Sequence, residues 1–282
     1  MNNKAFSSID LVGQCLLDTQ RTEAFKNVIE KTINKDSIVL DIGTGSGVLA
    51  MLAAKAGAKK VFAVELDKFV ADSAYKNFQA NELQNDVKLI YDDACSFDVK
   101  STIGDDKINV VLMELITSGM IDEAQINAVS HLKESGCLSP EVTFIPKSQK
   151  SFVTLVDYNF ELYGLDFPMV THIWNIHRND FTKYRIISEK TVYDDYVFSD
   201  QSRKHVDVEL PINITQNGRA NAVLIESDTH VDDHTIIGET SAINGKVIVP
   251  LVPKELLKDS ITNIHIKYEY GKGFDNLNVQ IK

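Results

Sequence analysis

Residues 37–47 read Ser-Ile-Val-Leu-Asp-Ile-Gly-Thr-Gly-Ser-Gly, and this stretch decides the fold. A short apolar run contains one acid, Asp41, and is followed by three glycines in alternate positions, Gly43, Gly45 and Gly47. Glycine takes backbone conformations that other residues avoid, so the pattern favours a sharp turn that approaches a ligand closely. The Ala- and Leu-rich segment that follows predicts a helix. Strand, turn and helix together indicate the ligand-binding edge of a parallel β-sheet.

The alternation of strands and helices continues to residue 146. Helices are predicted from Arg21, at 48–58, at 67–80 and at 123–132, and further strands at 60–65, 87–91 and 108–113. Because strands and helices alternate, we expect a parallel sheet with helices on its faces. The sequence therefore predicts a Rossmann-like α/β domain over residues 1–146.

The second half of the chain has a different texture. From residue 147 onwards β-branched and aromatic runs predict strands at 150–156, 207–214, 222–225, 245–249 and 262–270. Asn217-Gly218 and Asn244-Gly245 are typical of hairpin turns. We therefore expect an all-β, barrel-like domain over residues 147–282.

The amino-acid composition limits where in the cell the protein is expected and which partners it is expected to bind. The chain carries 29 Lys and Arg against 40 Asp and Glu, a formal charge of −11, which argues against a nucleic-acid partner and suits a cationic acceptor. Cys15, Cys95 and Cys137 are far apart without a CxxC pair, so we expect reduced thiols and no metal site. No apolar run approaches the roughly 18 residues of a membrane span. We expect a cytoplasmic protein without a membrane partner.

Acidic residues follow the next two predicted strands. A carboxylate at Glu65 can accept both hydroxyls of an adenosine ribose, and Asp93 and Ala94 lie where an adenine ring is expected. A nicotinamide-binding turn reads GxGxxG, whereas this one reads GxGxG after Asp41, the form typical of S-adenosylmethionine (SAM)-dependent methyltransferases. The sequence therefore predicts SAM as the cofactor, held by Asp41, Gly43, Gly45, Gly47, Glu65, Asp93 and Ala94.

Three segments, 17–22 (Leu-Asp-Thr-Gln-Arg-Thr), 39–49 and 53–61 (Ala-Ala-Lys-Ala-Gly-Ala-Lys-Lys-Val), resemble the catalytic core of protein arginine methyltransferases. The resemblance covers residues 14–146 well and the β-rich remainder loosely. That family joins a SAM-binding domain to a β-barrel. The chain is therefore expected to be a class I SAM-dependent methyltransferase with this architecture.

The resemblance also implies roles for single residues. Arg21 would grip the SAM carboxylate, Asp18 would lie near the substrate, and Glu114 and Glu123 would be the pair of substrate glutamates. Two carboxylates around a guanidinium give planar, bidentate recognition and leave lone-pair density on the nitrogen that faces the methyl group. Because methyl transfer is an in-line displacement, an aimed nucleophile is what the reaction needs. We therefore expect Glu114, Glu123 and Asp18 to be catalytic.

Other segments depart from the family pattern. Residues 115–118 read Leu-Ile-Thr-Ser where the family has aromatic residues, and no aromatic motif is evident in residues 2–14. A Thr-His-Trp loop is missing at 241–244, while Thr-His-Ile-Trp at 171–174 comes too early, so His172 and Trp174 are interpreted as packing or surface residues.

The leading hypothesis is N-methylation of a guanidino group, arginine in protein or peptide. A small-molecule N- or O-methyltransferase and a SAM-binding protein without catalytic activity remain alternatives. Nucleic-acid methylation is disfavoured, because base methyltransferases carry Asn/Asp-Pro-Pro-aromatic where residues 113–116 read Met-Glu-Leu-Ile. Residues 156–167 resemble the start of the family's dimerisation arm, so we expect a homodimer.

Overall fold

The computed structural model describes residues 8–173, 184–240 and 244–282 of the 282-residue chain. A parallel sheet with flanking helices comes first, and antiparallel sheets follow. This arrangement confirms the predicted fold class, a Rossmann-like α/β unit followed by a curled all-β unit.

The parallel sheet has the strand order β3-β2-β1-β4-β5. Its strands are β1 (Ile38–Ile42), β2 (Lys60–Glu65), β3 (Val87–Tyr91), β4 (Ile108–Leu112) and β5 (Leu138–Ile145). β1 is buried along its whole length because strands on both sides and helices on both faces cover it. The glycine turn leaves the carboxyl end of this central strand, where the strand order reverses and a crevice opens.

Six helices accompany the parallel sheet: α1 (Ile9–Leu17), α2 (Thr19–Thr32), α3 (Val48–Lys55), α4 (Lys68–Ala80), α5 (Val99–Ile103) and α6 (Gln125–Glu134). Asp67 caps α4 as its position before the helix predicts, since Oδ1 accepts from the backbone N–H groups of Phe69 and Val70 at 2.9 and 3.1 Å. A short 3₁₀ turn, Ser118–Met120, lies between β4 and α6. The antiparallel part contains a second 3₁₀ turn, Phe274–Asn276.

Among the described residues, the antiparallel part contains twelve strands: β6 (Ser148–Tyr158), β7 (Glu161–Leu162), β8 (Leu165–Asp166), β9 (Thr171–His172), β10 (Tyr184–Ile186), β11 (Thr191–Val197), β12 (His205–Asn213), β13 (Gly218–His230), β14 (Ile236–Ile237), β15 (Val247–Leu256), β16 (Ile261–Glu269) and β17 (Asn278–Ile281). One sheet runs β10-β6-β13-β15-β9, with β11 paired to β6 and β14 paired to β13. The other runs β12-β16-β17, and β7 and β8 form a hairpin.

Two sequence-based assignments change. Residues 138–145, where the sequence predicts no strand, form β5 and complete the parallel sheet. The Asn-Gly pairs at 217–218 and 244–245 do not close two-residue hairpins, because β12 pairs with β16, and β13 pairs with β6 and β15. Residues 241–243 lie outside the described residues.

One hydrophobic cluster joins the two parts of the chain. It contains Leu40 and Val64 of the parallel sheet together with Val153, Leu155 and Val223 of the antiparallel sheet. The predicted boundary at residues 146 and 147 falls between β5 and β6 and remains a proposal. Of the helices described, none is both long and apolar enough to cross a membrane.

Candidate active site

A cavity opens at the carboxyl edge of the parallel sheet. The empty space within it, including solvent at its open mouth, is about 1160 Å³. Most of the predicted site residues line it: Arg21, Asp41, Gly43, Gly45, Glu65, Asp93, Ala94, Glu114 and Glu123. Asp18 and Gly47 are not among the lining residues.

The glycine turn forms the floor of the cavity. Gly43 and Gly45 have φ values of +69° and +56°, which side chains other than glycine rarely adopt. A Cβ atom on Gly43 would lie 2.5 Å from Cδ2 of Leu115, so a side chain at this position would close the space above the turn. This side-chain-free backbone suits close approach by a ligand.

Gly47 shapes the turn from behind. It has φ +82° and directly precedes α3, and a Cβ atom there would lie 2.4 Å from Cε1 of Phe78 in α4. Because Gly47 faces a buried ring rather than the cavity, its contribution to a cofactor site is to let the turn close against α4.

The Glu65 carboxylate is held by two backbone N–H groups. Oε2 accepts from Gly45 N at 3.0 Å and Oε1 accepts from Asp67 N at 2.9 Å, and the residue is only 2% exposed. Each carboxylate oxygen has a second lone pair, so two hydroxyls of a ribose can still be accepted. The glycine turn and Glu65 thus fit an adenosyl ligand, because they provide an open backbone cradle and a fixed carboxylate acceptor beside it.

Asp41 is buried below the turn. Its Oδ2 accepts from the Thr44 hydroxyl at 2.6 Å. Burial raises the pKa of Asp41 to about 7, although the hydrogen bonds from Thr44 and from the backbone of Ala50 lower it and Glu65 raises it. Asp41 therefore supports the turn through its hydrogen bond with Thr44. Its carboxyl gains or loses a proton near neutral pH.

The segment after β3 supplies the wall opposite α1. Asp92, Asp93, Ala94 and Cys95 all line the cavity. Asp93 Oδ1 accepts from Cys95 N at 2.8 Å, which orders the segment. Burial, with Asp93 nearby, raises the pKa of Cys95 to about 12, so its thiol stays neutral.

Arg21 forms a buried ion pair with Glu114. The Arg21 side chain is 2% exposed and that of Glu114 is 19% exposed. Burial lowers the pKa of Arg21, but Glu123 and Asp18 counter this effect. The residue predicted to hold the cofactor carboxylate and one predicted substrate glutamate therefore share a contact.

Asp18 caps helix α2. Its Oδ1 accepts from Arg21 N at 3.3 Å, and the residue is buried. Because the carboxylate is turned to the helix end, the structure gives Asp18 a defined role in fixing the first turn of α2, which carries Arg21. A direct substrate contact remains a proposal for Asp18.

Glu114 and Glu123 both line the cavity. Glu114 follows β4, and Glu123 precedes α6 without capping it, since Ala124 occupies the cap position and no side chain bonds there. Burial raises the pKa of Glu123 to about 8, with Arg21 lowering it and Asp122 raising it further. Two acidic side chains therefore line one cavity, and burial raises the pKa of one of them, Glu123.

The sequence did not predict the wall formed by α1. Val12, Cys15 and Leu16 line the cavity, and the Val12 side chain lies over the glycine turn, 3.4 Å from where a Gly45 Cβ would be. Their i, i+3, i+4 spacing was the available signal. Thr44, Ser46, Leu66 and Leu115 also line the cavity beside predicted residues.

His172 lies in the antiparallel part. It stands in β9, and its ring packs edge-on against Phe274 with the centroids 5.3 Å apart. Burial lowers its pKa to about 4, so the ring is neutral. Trp174, interpreted with it from the sequence, lies outside the described residues.

Known proteins resemble the chain in sequence. Residues 20–140 match the family described as Ribosomal protein L11 methyltransferase (PrmA). An uncharacterized protein of Methanocaldococcus jannaschii, MJ1452, is 29% identical over 94% of both chains. An Arginine N(omega)-methyltransferase of Streptomyces achromogenes is 32% identical over 141 residues, which span 50% of this chain and 38% of that protein.

The fold has solved counterparts. The structure described as Trypanosoma brucei PRMT1 enzyme-prozyme heterotetrameric complex with AdoHcy superposes with a TM-score of 0.74, at 16% identity, over 99% of this chain and 98% of that one. The family match and the arginine methyltransferase relative agree with the predicted enzyme class and cofactor. The chain is an S-adenosylmethionine-dependent methyltransferase that resembles the arginine methyltransferases in sequence and fold.

Proposed function

We propose that this protein methylates a guanidino nitrogen of arginine in a protein or peptide. The observation that carries the proposal is that Glu114 and Glu123 line the same cavity as the glycine turn and Glu65. A cationic, planar acceptor placed between two carboxylates would be held beside the cofactor. The formal charge of −11 supports attraction of a cationic acceptor.

The predicted site residues have complementary tasks in this proposal. S-adenosylmethionine, when bound, supplies a methyl group on a positively charged sulfur. Glu65 would accept the ribose hydroxyls, and Arg21 would bind the carboxylate of the cofactor. Asp93 and Ala94 would border the adenine.

The two glutamates would orient the acceptor. Their oxygens accept the guanidinium N–H groups, which draws positive charge away from the nitrogen that faces the methyl group. A bound guanidinium would favour the ionised form of Glu123. Because burial raises the pKa of this carboxyl, the ionised group would then take up the proton released by the methylated nitrogen more readily than an ordinary glutamate.

A small-molecule acceptor is the second candidate. One relative is named Arginine N(omega)-methyltransferase, without the word protein, and its match covers 50% of this chain. Free arginine offers the same guanidinium to Glu114 and Glu123. The two candidate acceptors differ in size, but both offer the same kind of guanidino nitrogen.

The decisive experiment uses deuterated-methyl SAM with an arginine-containing peptide in one arm and free arginine in the other. Mass spectrometry should place the label on a guanidino nitrogen of the peptide. Label on free arginine alone would favour the small-molecule function. Binding of S-adenosylhomocysteine without any label transfer would favour a protein without catalytic activity.

Variants of the glutamates test the site. Glu123→Gln should lower kcat/KM for the acceptor at least ~100-fold while calorimetry shows S-adenosylhomocysteine affinity nearly unchanged. Glu114→Gln should also reduce turnover, but it should alter cofactor affinity too, because Arg21 loses its ionic partner. Glu141→Gln, at an exposed position on β5, is the control. Wild-type turnover in Glu123→Gln would remove Glu123 from the mechanism.

We also propose a homodimer in the cytoplasm, without nucleic-acid or membrane partners. Tyr163, Leu165, Phe167 and Met169, on and after the β7–β8 hairpin, are exposed apolar side chains that support a self-association surface.

A further inference from the structure

Residues 117–123, here named the acceptor segment, carry Glu123 but are held by the antiparallel part of the chain. Gln149 Nε2 donates to Thr117 O at 2.8 Å, and Gly119 N donates to Ser227 Oγ at 2.8 Å. Both partners lie on strands of the large antiparallel sheet, β6 and β13. The position of Glu123 therefore depends on a part of the molecule that follows it in sequence.

The acceptor segment has an unusual backbone that needs such support. Gly119 and Met120 both have positive φ, +71° and +51°. A left-handed conformation is unfavourable for Met, so surrounding contacts must maintain it. A Cβ atom on Gly119 would lie 2.7 Å from the Tyr193 hydroxyl, which shows how closely the sheet approaches the backbone.

A buried group of polar side chains, here named the tyrosine cluster, lies against this segment. Its members are Tyr193, Asp194, Tyr196, Arg203, Tyr268 and Tyr270. The Tyr268 hydroxyl donates to Gly119 O at 2.7 Å and lies 3.3 Å from the Tyr193 hydroxyl. One member of the cluster therefore bonds the acceptor segment directly.

A second contact runs through Tyr270. Its hydroxyl donates to Asp194 Oδ2 at 2.7 Å, and Asp194 also pairs with Arg203. The next residue, Gly271, donates its N–H to Met120 O at 3.1 Å. A Cβ atom on Gly271 would lie 3.0 Å from Glu123 O, so the turn after Tyr270 packs on the backbone of Glu123 itself.

We propose that Tyr268 and Tyr270 are positioning residues that hold Glu123 in place for the acceptor, Tyr268 through its hydrogen bond to Gly119 O and Tyr270 by fixing the turn at Gly271, which packs on the backbone of Glu123. The inference rests on the proposed function, because it takes Glu123 as an acceptor-binding group. Neither tyrosine lines the cavity, so both act through the acceptor segment.

The test compares Tyr268→Phe and Tyr270→Phe with Tyr196→Phe. Tyr196 is buried in the same cluster, but its hydroxyl bonds Gln201 O and Arg203 O, away from the acceptor segment. All three changes remove one buried hydroxyl. They differ in what that hydroxyl holds: Tyr268 bonds Gly119 of the acceptor segment, Tyr270 is anchored by Asp194 beside the turn that packs on Glu123, and Tyr196 bonds the loop carbonyls of Gln201 and Arg203.

Two readouts are measured on the full chain. Amide hydrogen exchange of residues 117–123 should accelerate in Tyr268→Phe and Tyr270→Phe and stay at the wild-type rate in Tyr196→Phe. With an arginine-containing peptide, KM for the peptide should rise about 10-fold and kcat/KM should fall about 10- to 100-fold, with KM for SAM unchanged. A loss of folded enzyme would lower kcat without changing the peptide KM.

The outcomes separate the inference from the proposed function. Exchange rates and peptide KM in Tyr268→Phe and Tyr270→Phe that match those of Tyr196→Phe overturn the inference. If the wild-type protein transfers no methyl group to the peptide, the proposed function and the acceptor role of the segment both fall. The exchange data then still decide whether the tyrosines hold residues 117–123.

Discussion

At the scale of single residues, Asp41 is a buried acid that contacts the glycine turn. It ends the central strand, is 1% exposed, and accepts a hydrogen bond from Thr44 that keeps the glycine turn closed. A carboxylate in that position is costly to ionise because little water reaches it. Because its pKa is about 7, the charge of the carboxyl that supports the glycine turn changes in the neutral pH range.

Asp41 should make the protein less stable as pH rises from about 4 to 7. The folded state keeps the proton up to about pH 7, whereas the unfolded chain releases it near 3.8, so the free energy of unfolding falls across this window by up to about 4 kcal/mol. Asp41→Asn should match the wild type at pH 4 and exceed its stability at pH 8. Urea unfolding measured from pH 4 to 8 checks this.

Asp36→Asn, at an exposed position, should leave the pH dependence of the wild type unchanged. A smaller slope should persist in Asp41→Asn, because Glu123 also has a raised pKa, about 8. Identical slopes in Asp41→Asn and the wild type would contradict the assignment.

Single residues also show which features of the candidate site the sequence can and cannot predict. The spacing of glycines and acids placed Glu65 at the site, because residues at strand ends of a parallel sheet meet at one edge. The Arg21–Glu114 ion pair was not predictable, since it depends on side-chain directions between elements far apart in the chain. Asp18 could equally have been identified as a helix cap, because an acid precedes α2.

At the scale of secondary structure elements, the glycine turn and its flanking helices behave as one packed unit. Gly47 lets α3 start close to Phe78 of α4, while Gly57 ends α3 with open space around its Cα. Both glycines have positive φ, +82° and +92°. They therefore differ in packing but not in the kind of backbone conformation.

Gly47→Ala should be more destabilising than Gly57→Ala. A positive φ costs alanine roughly 1 to 2 kcal/mol at either site. Gly47→Ala adds a Cβ atom 2.4 Å from the Phe78 ring, and such overpacking costs about 1 to 3 kcal/mol more. Urea unfolding gives the two free energies, and equal losses would show that the contact with Phe78 is relieved without cost.

The elements that the sequence did not reveal have a physical explanation. Helix α1 has no buried residue, because its apolar side chains Val12 and Leu16 face the cavity instead of the core. Strand β5 contains Pro140 and several exposed residues, as an edge strand does, so it lacks the continuous apolar run of β1 or β4.

At the scale of the whole molecule, the two parts of the chain share one interior. The hydrophobic cluster that contains Leu40 and Val64 continues to Val153 and Leu155. The acceptor segment, residues 117–123, adds buried hydrogen bonds across the same boundary, including Ser118 Oγ to Gly245 O. Losing either sheet would expose apolar surface of the other and leave these polar groups without partners.

The protein should consequently unfold in a single thermal transition. Calorimetry and tyrosine fluorescence, which reports mainly on the antiparallel part, should give the same midpoint, and S-adenosylhomocysteine at 100 times its Kd should raise both by about 5 °C. Gln149→Ala, which removes the side-chain donor to the Thr117 carbonyl, should lower the shared midpoint without splitting the transition. Two resolved transitions, with only the first responding to ligand, would show that the parallel and antiparallel parts fold independently and that the contacts between them contribute little to stability.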